Sequence, residues 1–364
     1  MSEVVVHSAR VVSDGSDDAD AWIRLRGSEV AAAGSGSSWE PADEVVDAAG
    51  RVLTPGLVDA HVHGGAGESF DAGPFAAARA EHRAHGVTRS VASLVAAPVD
   101  ALARRIPELV GEGIVGIHLE GPFLAPERRG AHDGRMLVHP TPAAVERLIK
   151  AGEGRIVQVT IAPELPHALD AIRRFAAAGI RVAVGHTTAD ADTTRAAIDA
   201  GATLLTHAFN AMPGIHHRDP GPIPTAAADP RVTLELIADG VHVSGDVMRM
   251  LLLTAPGRVA IVTDAMSATG MPDGAYALGG LDVEVERGVA RLAGGGAIAG
   301  STLTLDDGVR RVAALGVPLA DAVAAATSVP AAALGLAGLG SLRPGSTGGA
   351  VLWSEGLEAE RVWA

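Results

Sequence analysis

The sequence predicts an α/β protein in which a (β/α)8 TIM-like barrel carries a small β-sandwich domain built from the N- and C-terminal segments. Apolar, strand-like runs alternate with helix-like stretches through the middle of the chain, and short β-like segments fill both ends. The length of 364 residues suits one barrel with a modest second unit.

Both ends of the chain have the composition of short β-strands separated by turns. Residues 4–6 are three consecutive valines, and residues 350–353 read Ala-Val-Leu-Trp, each flanked by segments rich in Gly, Ser or Pro. We therefore assign residues 1–53 and 340–364 to one small β-sandwich domain and residues 54–339 to the barrel.

The middle of the chain contains eight apolar runs with the composition of buried strands. They cover residues 57–63, 87–93, 114–120, 156–162, 180–186, 203–207, 232–239 and 259–264. Helix-like stretches include residues 143–151, 166–178, 190–200, 303–315 and 319–327. Strands that are apolar along their length are typical of a parallel sheet covered on both faces, and eight of them predict a barrel.

Composition excludes several classes of protein. The formal net charge of −14 argues against nucleic-acid binding, because phosphate backbones require basic surfaces. The absence of cysteine excludes disulfides and thiolate metal sites, so any metal must be held by histidine and carboxylate ligands. There is neither a signal-peptide pattern nor a run of 18 apolar residues, so we expect a cytoplasmic protein with no membrane partner.

Polar residues follow the predicted strands at six of the eight carboxyl ends. They are His61 and His63, His118 and Glu120, His186, His207, Asp239 and His242, and Asp264. In a barrel of this type the carboxyl ends of the strands form the mouth of the active site, so we expect these side chains to converge. A single histidine is more often a surface or core residue than a ligand, but packing alone does not explain the joint pattern. We expect five other histidines at the surface, namely His7, His82, His85, His139 and His167.

The residue types at these ends indicate metal-assisted hydrolysis. His61 and His63 are two positions apart in a strand, so both point to the same side and can share one cation. Imidazole and carboxylate ligands suit Zn²⁺, Fe²⁺, Mn²⁺ or Co²⁺. Such a cation lowers the pKa of a water molecule, and Asp264 is well placed to take its proton and pass it to a leaving amine.

Several motifs resemble a known enzyme family. Residues 54–63, Thr-Pro-Gly-Leu-Val-Asp-Ala-His-Val-His, resemble the opening signature of the amidohydrolase superfamily. Five further segments, between about residues 50 and 330, resemble the N-acetylglucosamine-6-phosphate deacetylases in particular. These are HLEGPF at 118–123, GHT at 185–187, HAFNAM at 207–212, DGVH at 239–242 and TDAM at 263–266. The cluster that includes LEGPF is far more specific than the His-x-His pair.

The resemblance implies a role for each matching position. It makes Glu120, His186 and His207 the principal metal ligands, Asp264 the catalytic acid and base, and His242 the group that hydrogen-bonds the substrate and polarises its carbonyl. It also makes His132, Asn210, Ala211 and Arg218 substrate-binding residues. Arg218 would reach the phosphate in the partner subunit of a homodimer, and an arginine fork is the right group for a phosphate.

The number of metal ions is left open at one or two per subunit. Some members of the family replace the first His-x-His with Gln-x-Asn and hold one metal, whereas this chain keeps His61 and His63. Many superfamily members bridge two metals with a carboxylated lysine on the fourth strand, but the run at 156–162 contains no lysine. Glu120 is then the natural bridging carboxylate, and Zn²⁺ is the first candidate cation.

The resemblance implies deacetylation of N-acetyl-D-glucosamine 6-phosphate to D-glucosamine 6-phosphate and acetate. The nearest alternative is N-acetylgalactosamine 6-phosphate, which differs in the orientation of one hydroxyl group. Another amidohydrolase activity, on cyclic amides or nucleobases, is opposed by the missing lysine and by the LEGPF and FNAM segments. A catalytically silent sugar-phosphate binder is opposed by the presence of Asp264.

Overall fold

The computed structural model describes residues 2–364, and the chain begins with five strands. They are β1 (Glu3–Ser13), β2 (Ser16–Arg26), β3 (Glu29–Ser35), β4 (Glu44–Asp47) and β5 (Val52–Pro55). β1 pairs with β2 in antiparallel fashion and with both β4 and β5 in parallel fashion. Its buried positions are mostly valine and alanine, which fit a pleated sheet with one apolar face.

The middle of the chain forms an eight-stranded parallel sheet, and this confirms the predicted fold class. Its strands are β6 (Leu57–Val62), β9 (Val87–Leu94), β10 (Ile114–Glu120), β11 (Ile156–Ile161), β12 (Arg181–Val184), β13 (Ala202–Leu205), β14 (Thr233–Ile237) and β15 (Val259–Val262). A separate short hairpin of β7 (Gly64–Gly65) and β8 (Glu68–Ser69) lies between β6 and β9 in the chain. Each strand lies beside the next barrel strand in the sequence.

The barrel closes between its last and first strands. The Asp264 N–H donates to the His61 carbonyl at 2.8 Å, and the His63 N–H donates to the Ala265 carbonyl at 2.8 Å. Both bonds join the carboxyl end of β6 to the residues just beyond β15. The seam of the barrel, where its last strand meets its first, therefore runs into the mouth of the active site.

Ten α-helices cover the barrel and the chain between its strands. They are α1 (Ala76–Ala84), α2 (Val99–Arg105), α3 (Pro142–Gly152), α4 (Ala168–Ala177), α5 (Ala191–Ala200), α6 (Pro222–Ala228), α7 (Gly245–Thr254), α8 (Leu305–Ala314), α9 (Leu319–Ala325) and α10 (Ser328–Leu334). The five helices expected from the sequence are present. α3 begins with a proline after the side-chain cap of Thr141, and Asp190 caps α5 by accepting the Thr193 N–H at 2.8 Å. Within residues 2–364, none of these helices is long and apolar enough to span a membrane.

A three-stranded antiparallel sheet, which we did not predict, follows β15. It consists of β16 (Gly274–Leu278), β17 (Leu281–Glu286) and β18 (Val289–Leu292). In β17 the buried Val283 and Val285 alternate with exposed acidic residues, as expected of a strand with one buried face. These valines pack with Leu278, Val95 and Met266 above the end of the barrel.

The C-terminal strands β19 (Ala350–Trp353) and β20 (Ala359–Trp363) complete the N-terminal sheet. β19 pairs with β5, so the two ends of the chain form one seven-stranded sheet. Trp353 is buried, donates its indole N–H to Thr54 at 2.8 Å and packs in the same apolar core as the barrel strands. The division into domains at residues 53/54 and 339/340 stays a proposal, because β19 contributes to both sheet and barrel core.

The prediction that His82 and His85 lie at the surface is wrong for His82, which is buried, while His85 is partly exposed. His82 is 1% exposed and its ring hydrogen-bonds the Gly64 carbonyl at 2.9 Å. His85, at the end of α1, is half-buried and lies 3.1 Å from both carboxylate oxygens of Asp306. This contact joins α1 to α8 across the outside of the barrel.

The His85–Asp306 pair makes stability depend on pH. The hydrogen bond to Asp306 raises the pKa of His85, and although burial opposes it, the bond from His85 lowers the pKa of Asp306. A raised histidine pKa stabilises the fold below the unfolded value of about 6.5, and this stabilisation is lost as pH rises through the folded value. We expect His85→Gln to cost up to about 1 kcal/mol near pH 6 and little near pH 9, measured by urea unfolding. A loss that is the same at both pH values would contradict this assignment.

Candidate metal centre and active site

A cavity of about 340 Å³ opens at the carboxyl ends of the barrel strands. Nine of the residues singled out in the sequence line it: His63, Glu120, His132, His186, His207, Asn210, Ala211, His242 and Asp264. His61 lies beneath the cavity floor with no exposed surface, and Arg218 lies outside. Residues separated by some 200 positions therefore share one site, as the strand-end rule requires.

Three of the polar residues at the mouth have an unusual backbone. His186, His207 and Asp264 each follow a barrel strand by two residues, with φ angles of 48°, 26° and 50°. Non-glycine residues rarely adopt positive φ, and where they do the surrounding structure must hold them there. The turn after each strand thus holds the backbone in a strained conformation that places the side chain in the wall of the cavity.

Glu120 and two histidines form the first group of candidate ligands. Glu120 ends β10, and its Oε1 lies 3.0 Å from His207 Nε2 and 3.2 Å from His186 Nε2. The two imidazole nitrogens are 3.0 Å apart. Burial lowers the pKa of His186 to about 4, so its ring is neutral at pH 7 and free to bind a cation.

His61, His63 and Asp264 form the second group. The Nε2 atoms of the two histidines are 3.1 Å apart, and Asp264 Oδ1 lies 3.6 Å from His61 Nε2 and 3.4 Å from His63 Nε2. Glu120 Oε2 is 3.2 Å from His63 Nε2. Oε1, which contacts His186 and His207, also lies 3.5 Å from His61 Nε2. Glu120 therefore contacts both groups, as a bridging carboxylate must.

His132 belongs to this cluster as a hydrogen-bond donor. Its Nε2 is 3.2 Å from Glu120 Oε2, close enough for a ligand position. However, the Ala96 N–H donates to His132 Nδ1 at 3.1 Å, so that nitrogen is the acceptor of the ring and Nε2 carries the proton. We therefore assign His207 rather than His132 to the first ligand group.

The donor set fits a divalent cation. Two imidazole nitrogens face each other in each group at hydrogen-bond distance, and both groups face buried carboxylates. Although burial alone would raise it, the electrostatic attraction of the imidazoles of His61 and His132 holds the pKa of Glu120 well below its usual value. Inward-facing nitrogens around an ionised carboxylate, with no thiolate, are the ligands that zinc and neighbouring metals prefer.

His118 follows the same strand-end pattern but is not a candidate ligand. Ser93 Oγ lies 3.0 Å from its Nδ1, and Thr160 Oγ1 lies 2.8 Å from its Nε2. Burial, reinforced by the charge of His61, lowers the pKa of His118 well below its usual value. Both of its nitrogens are engaged in hydrogen bonds, so its role is to hold neighbouring strands together.

His242 is oriented by Asp239, the first residue of the DGVH motif. Asp239 Oδ2 accepts from His242 Nδ1 at 2.7 Å, while Asp239 Oδ1 accepts the N–H groups of Val241 and His242, each at 2.8 Å. Although burial opposes it, the bond from His242 lowers the pKa of Asp239. The ionised carboxylate leaves Nε2 of His242 as the nitrogen available to a ligand in the cavity.

The predicted substrate-binding residues divide into two locations. Asn210 and Ala211 line the cavity in the turn after β13, where the Asn210 amide donates to the carbonyls of His207 and Ala208 at 3.3 Å. Arg218 lies in an exposed loop, and its guanidinium is 2.7 Å from His217 Nε2. Arg128, which we did not single out, is the arginine that lines the cavity.

Glu235 and Gln158 were also missed. Glu235 lies in β14 and its carboxylate contacts His61 Nδ1 at 3.1 Å, while Gln158 of β11 donates to Glu235 at 2.6 Å. The available signal was one acidic residue inside an otherwise apolar strand. Leu278 and Ile298, near the unpredicted sheet, add apolar wall to the cavity.

Residues 52–361 match the model of the amidohydrolase family. The chain belongs to this family, as its barrel and its histidine–carboxylate site also indicate.

Within the family, the chain is similar to amino-sugar phosphate deacetylases. It is 40% identical to N-acetylgalactosamine-6-phosphate deacetylase of Escherichia coli O157:H7, covering 86% of each chain. It is 37% identical to N-acetylglucosamine-6-phosphate deacetylase of Vibrio furnissii, over 85% of this chain and 81% of that one. A mutant of the Mycobacterium smegmatis N-acetyl-D-glucosamine-6-phosphate deacetylase, solved in complex with N-acetyl-D-glucosamine-6-phosphate, superposes with a TM-score of 0.94. It is 42% identical, and the match covers 100% of this chain and 98% of that one.

The two ligand groups predict a difference in metal content. We expect His61→Ala to contain about one cation per chain fewer than the wild type, because it removes a nitrogen from the second group and leaves the first intact. Elemental analysis of the purified proteins measures this, with the exposed His139→Ala as control for surface binding. Identical metal content in wild type and His61→Ala would contradict a second site.

Proposed function

We propose that this protein hydrolyses N-acetyl-D-glucosamine 6-phosphate to D-glucosamine 6-phosphate and acetate. The observation that carries the proposal is that two ligand groups, the second of which includes the carboxylate of Asp264, meet at a cavity of sugar size. The similarity to deacetylases over nearly the whole chain supports this reading.

A divalent cation, with Zn²⁺ as the first candidate and Fe²⁺, Mn²⁺ or Co²⁺ as alternatives, would be held by Glu120, His186 and His207. A second cation would be held by His61 and His63, and Glu120 would be shared between the two ligand groups. The chemistry that such a cation supplies is a lowered pKa for water and polarisation of the amide carbonyl.

The protein's own groups supply the proton transfers. Asp264 lines the cavity and has a carboxylate oxygen within 3.6 Å of both His61 and His63, so it can reach a water molecule held beside these histidines. It accepts the proton of that water and returns it to the nitrogen of the leaving amino sugar. His242 binds the carbonyl oxygen through Nε2, and Asp239 holds the ring in place by accepting from Nδ1.

The phosphate is assigned to the rim of the cavity. Arg128, Asn210 and Ala211 all line the cavity, and they are the residues we assign to the phosphate. Arg218 lies in an exposed loop, a position from which it can reach a second subunit of a homodimer. Arginine binds phosphate through paired N–H groups, which allows an acidic protein to hold an anionic sugar. The homodimer is implied by the family resemblance, and the cytoplasmic location is proposed from the sequence.

The galacto isomer is the less favoured substrate. One relative carries the name of an N-acetylgalactosamine-6-phosphate deacetylase, but relatives at 36% and 37% identity and solved structures at 41% and 42% identity are named for the gluco compound.

Acetate release from three sugars tests the proposal. N-acetylglucosamine 6-phosphate, its galacto isomer and unphosphorylated N-acetylglucosamine are compared before and after chelation, with metal added back. We expect metal-restored turnover that is greatest on the gluco phosphate and low on the unphosphorylated sugar. Release from none of the three would refute the proposed substrate class, and a higher kcat/KM for the galacto isomer would reverse the preference.

Removal of the proposed acid and base should separate catalysis from binding. We expect Asp264→Asn to lower kcat by about 10²–10⁴-fold, because the asparagine cannot accept the proton of water or return it to the amine. Metal content and substrate affinity, measured by elemental analysis and calorimetry, should change little. Near-normal turnover in this variant would refute the role of Asp264.

A further inference from the structure

Glu235 is a buried carboxylate that the proposed reaction does not use. It lies in the middle of β14, is 1% exposed, and is flanked by the buried Leu234 and Leu236. A carboxylate inside a barrel is unfavourable unless hydrogen-bond donors surround it. The hydrogen-bond donors around the Glu235 carboxylate must therefore account for its stability at this position.

Three donors from three different strand regions meet Glu235. His61 Nδ1 lies 3.1 Å from Oε2, and the backbone N–H of His207 donates to the same oxygen at 3.3 Å. Gln158 Nε2 donates to Oε1 at 2.6 Å. Two of these donors belong to candidate metal ligands, one from each ligand group.

We propose that Glu235 is the positioning residue for the cation bound by His61 and His63. By accepting the proton on His61 Nδ1, it fixes the tautomer in which Nε2 has a free lone pair. That lone pair faces His63 and Asp264, at 3.1 and 3.6 Å. This inference rests on the metal site of the proposed function and assigns Glu235 no contact with the substrate.

His61 differs from the other candidate ligands in what orients it. Among residues 2–364, the Nδ1 atoms of His63 and His207 are buried without a hydrogen-bond partner, and His186 Nδ1 is paired with the Arg128 carbonyl. Only His61, of these four, has a carboxylate on its Nδ1. The second ligand group should therefore depend on Glu235 more strongly than the first.

Gln158 extends this arrangement by one residue. Its side chain is fully buried on β11, and its Oε1 has no hydrogen-bond partner in the described part of the chain. In Glu235→Gln the new amide can keep its oxygen on His61, and Gln158 can turn to accept from the new NH₂ group. Glu235→Gln thus preserves the bond to His61 without the charge, whereas Glu235→Leu removes both.

Zinc titration of the metal-free proteins against a chromophoric chelator tests the proposal. We expect Glu235→Leu to bind the second Zn²⁺ about 10–100-fold more weakly than the wild type, and Glu235→Gln to lie between the two. Affinity for the first Zn²⁺ should change much less. In the His61→Ala background, Glu235→Leu should have no additional effect on zinc binding, because its proposed target is already gone.

Thr160→Val is the matched control. Thr160 is buried on the same inward face of β11 as Gln158 and bonds His118, which is not a candidate ligand. It should keep both zinc affinities, with unfolding measured alongside to compare the damage to stability. Wild-type zinc affinity in Glu235→Leu, an equal loss in Thr160→Val, or a wild type that takes up a single cation would each overturn the proposal.

Failure of the proposed function is distinguishable from failure of this inference. If the wild type binds zinc at both groups but releases no acetate from any of the sugars, the proposed substrate fails and the zinc titration still judges Glu235. If it releases acetate but the Glu235 variants bind zinc as the wild type does, only the role of Glu235 fails.

Discussion

The carboxylate of Glu120 is the group around which the mouth of the barrel is arranged. Imidazoles from β6, β12 and β13 approach its two oxygens to within 3.5 Å, and His132 donates to it from the loop after β10. A buried carboxylate is stable only among hydrogen-bond donors or cations. The two ligand groups are therefore halves of one arrangement, and a change at Glu120 alters both.

Most of the barrel and much of its mouth could be predicted because both follow rules of local pattern. The run from Ile114 to Glu120 agrees with the observed strand at both ends, since buried strands bounded by polar residues are easy to delimit. The strand-end residues could be gathered into one site because parallel strands bring their carboxyl ends together. The cavity contains nine of the eleven candidate site residues taken from the strand ends and the family resemblance together, and it excludes the exposed Arg218 and the fully buried His61.

The rest depends on contacts that no local pattern encodes. Glu235 meets Gln158 across 77 positions and His61 across 174, so a single charge inside an apolar run was ambiguous. The positive φ angles of His186, His207 and Asp264 are imposed by the packed turns around them. The sheet of β16–β18 is short and Gly-punctuated, and His82 is buried because its ring reaches a backbone carbonyl near β7. Each case is a tertiary interaction, which outweighs local propensity.

The seam of the barrel has a consequence for when the site comes into existence during folding. Two of the hydrogen bonds that join its last strand to its first are made by His61, His63, Asp264 and Ala265, three of which are candidate ligands or the proposed acid and base. An open sheet of the first seven strands would contain Glu120, His186 and His207, but without Asp264. Hydrolytic competence would then appear only when the sheet closes on itself. A partly synthesised chain could capture a cation but would have no means of using it.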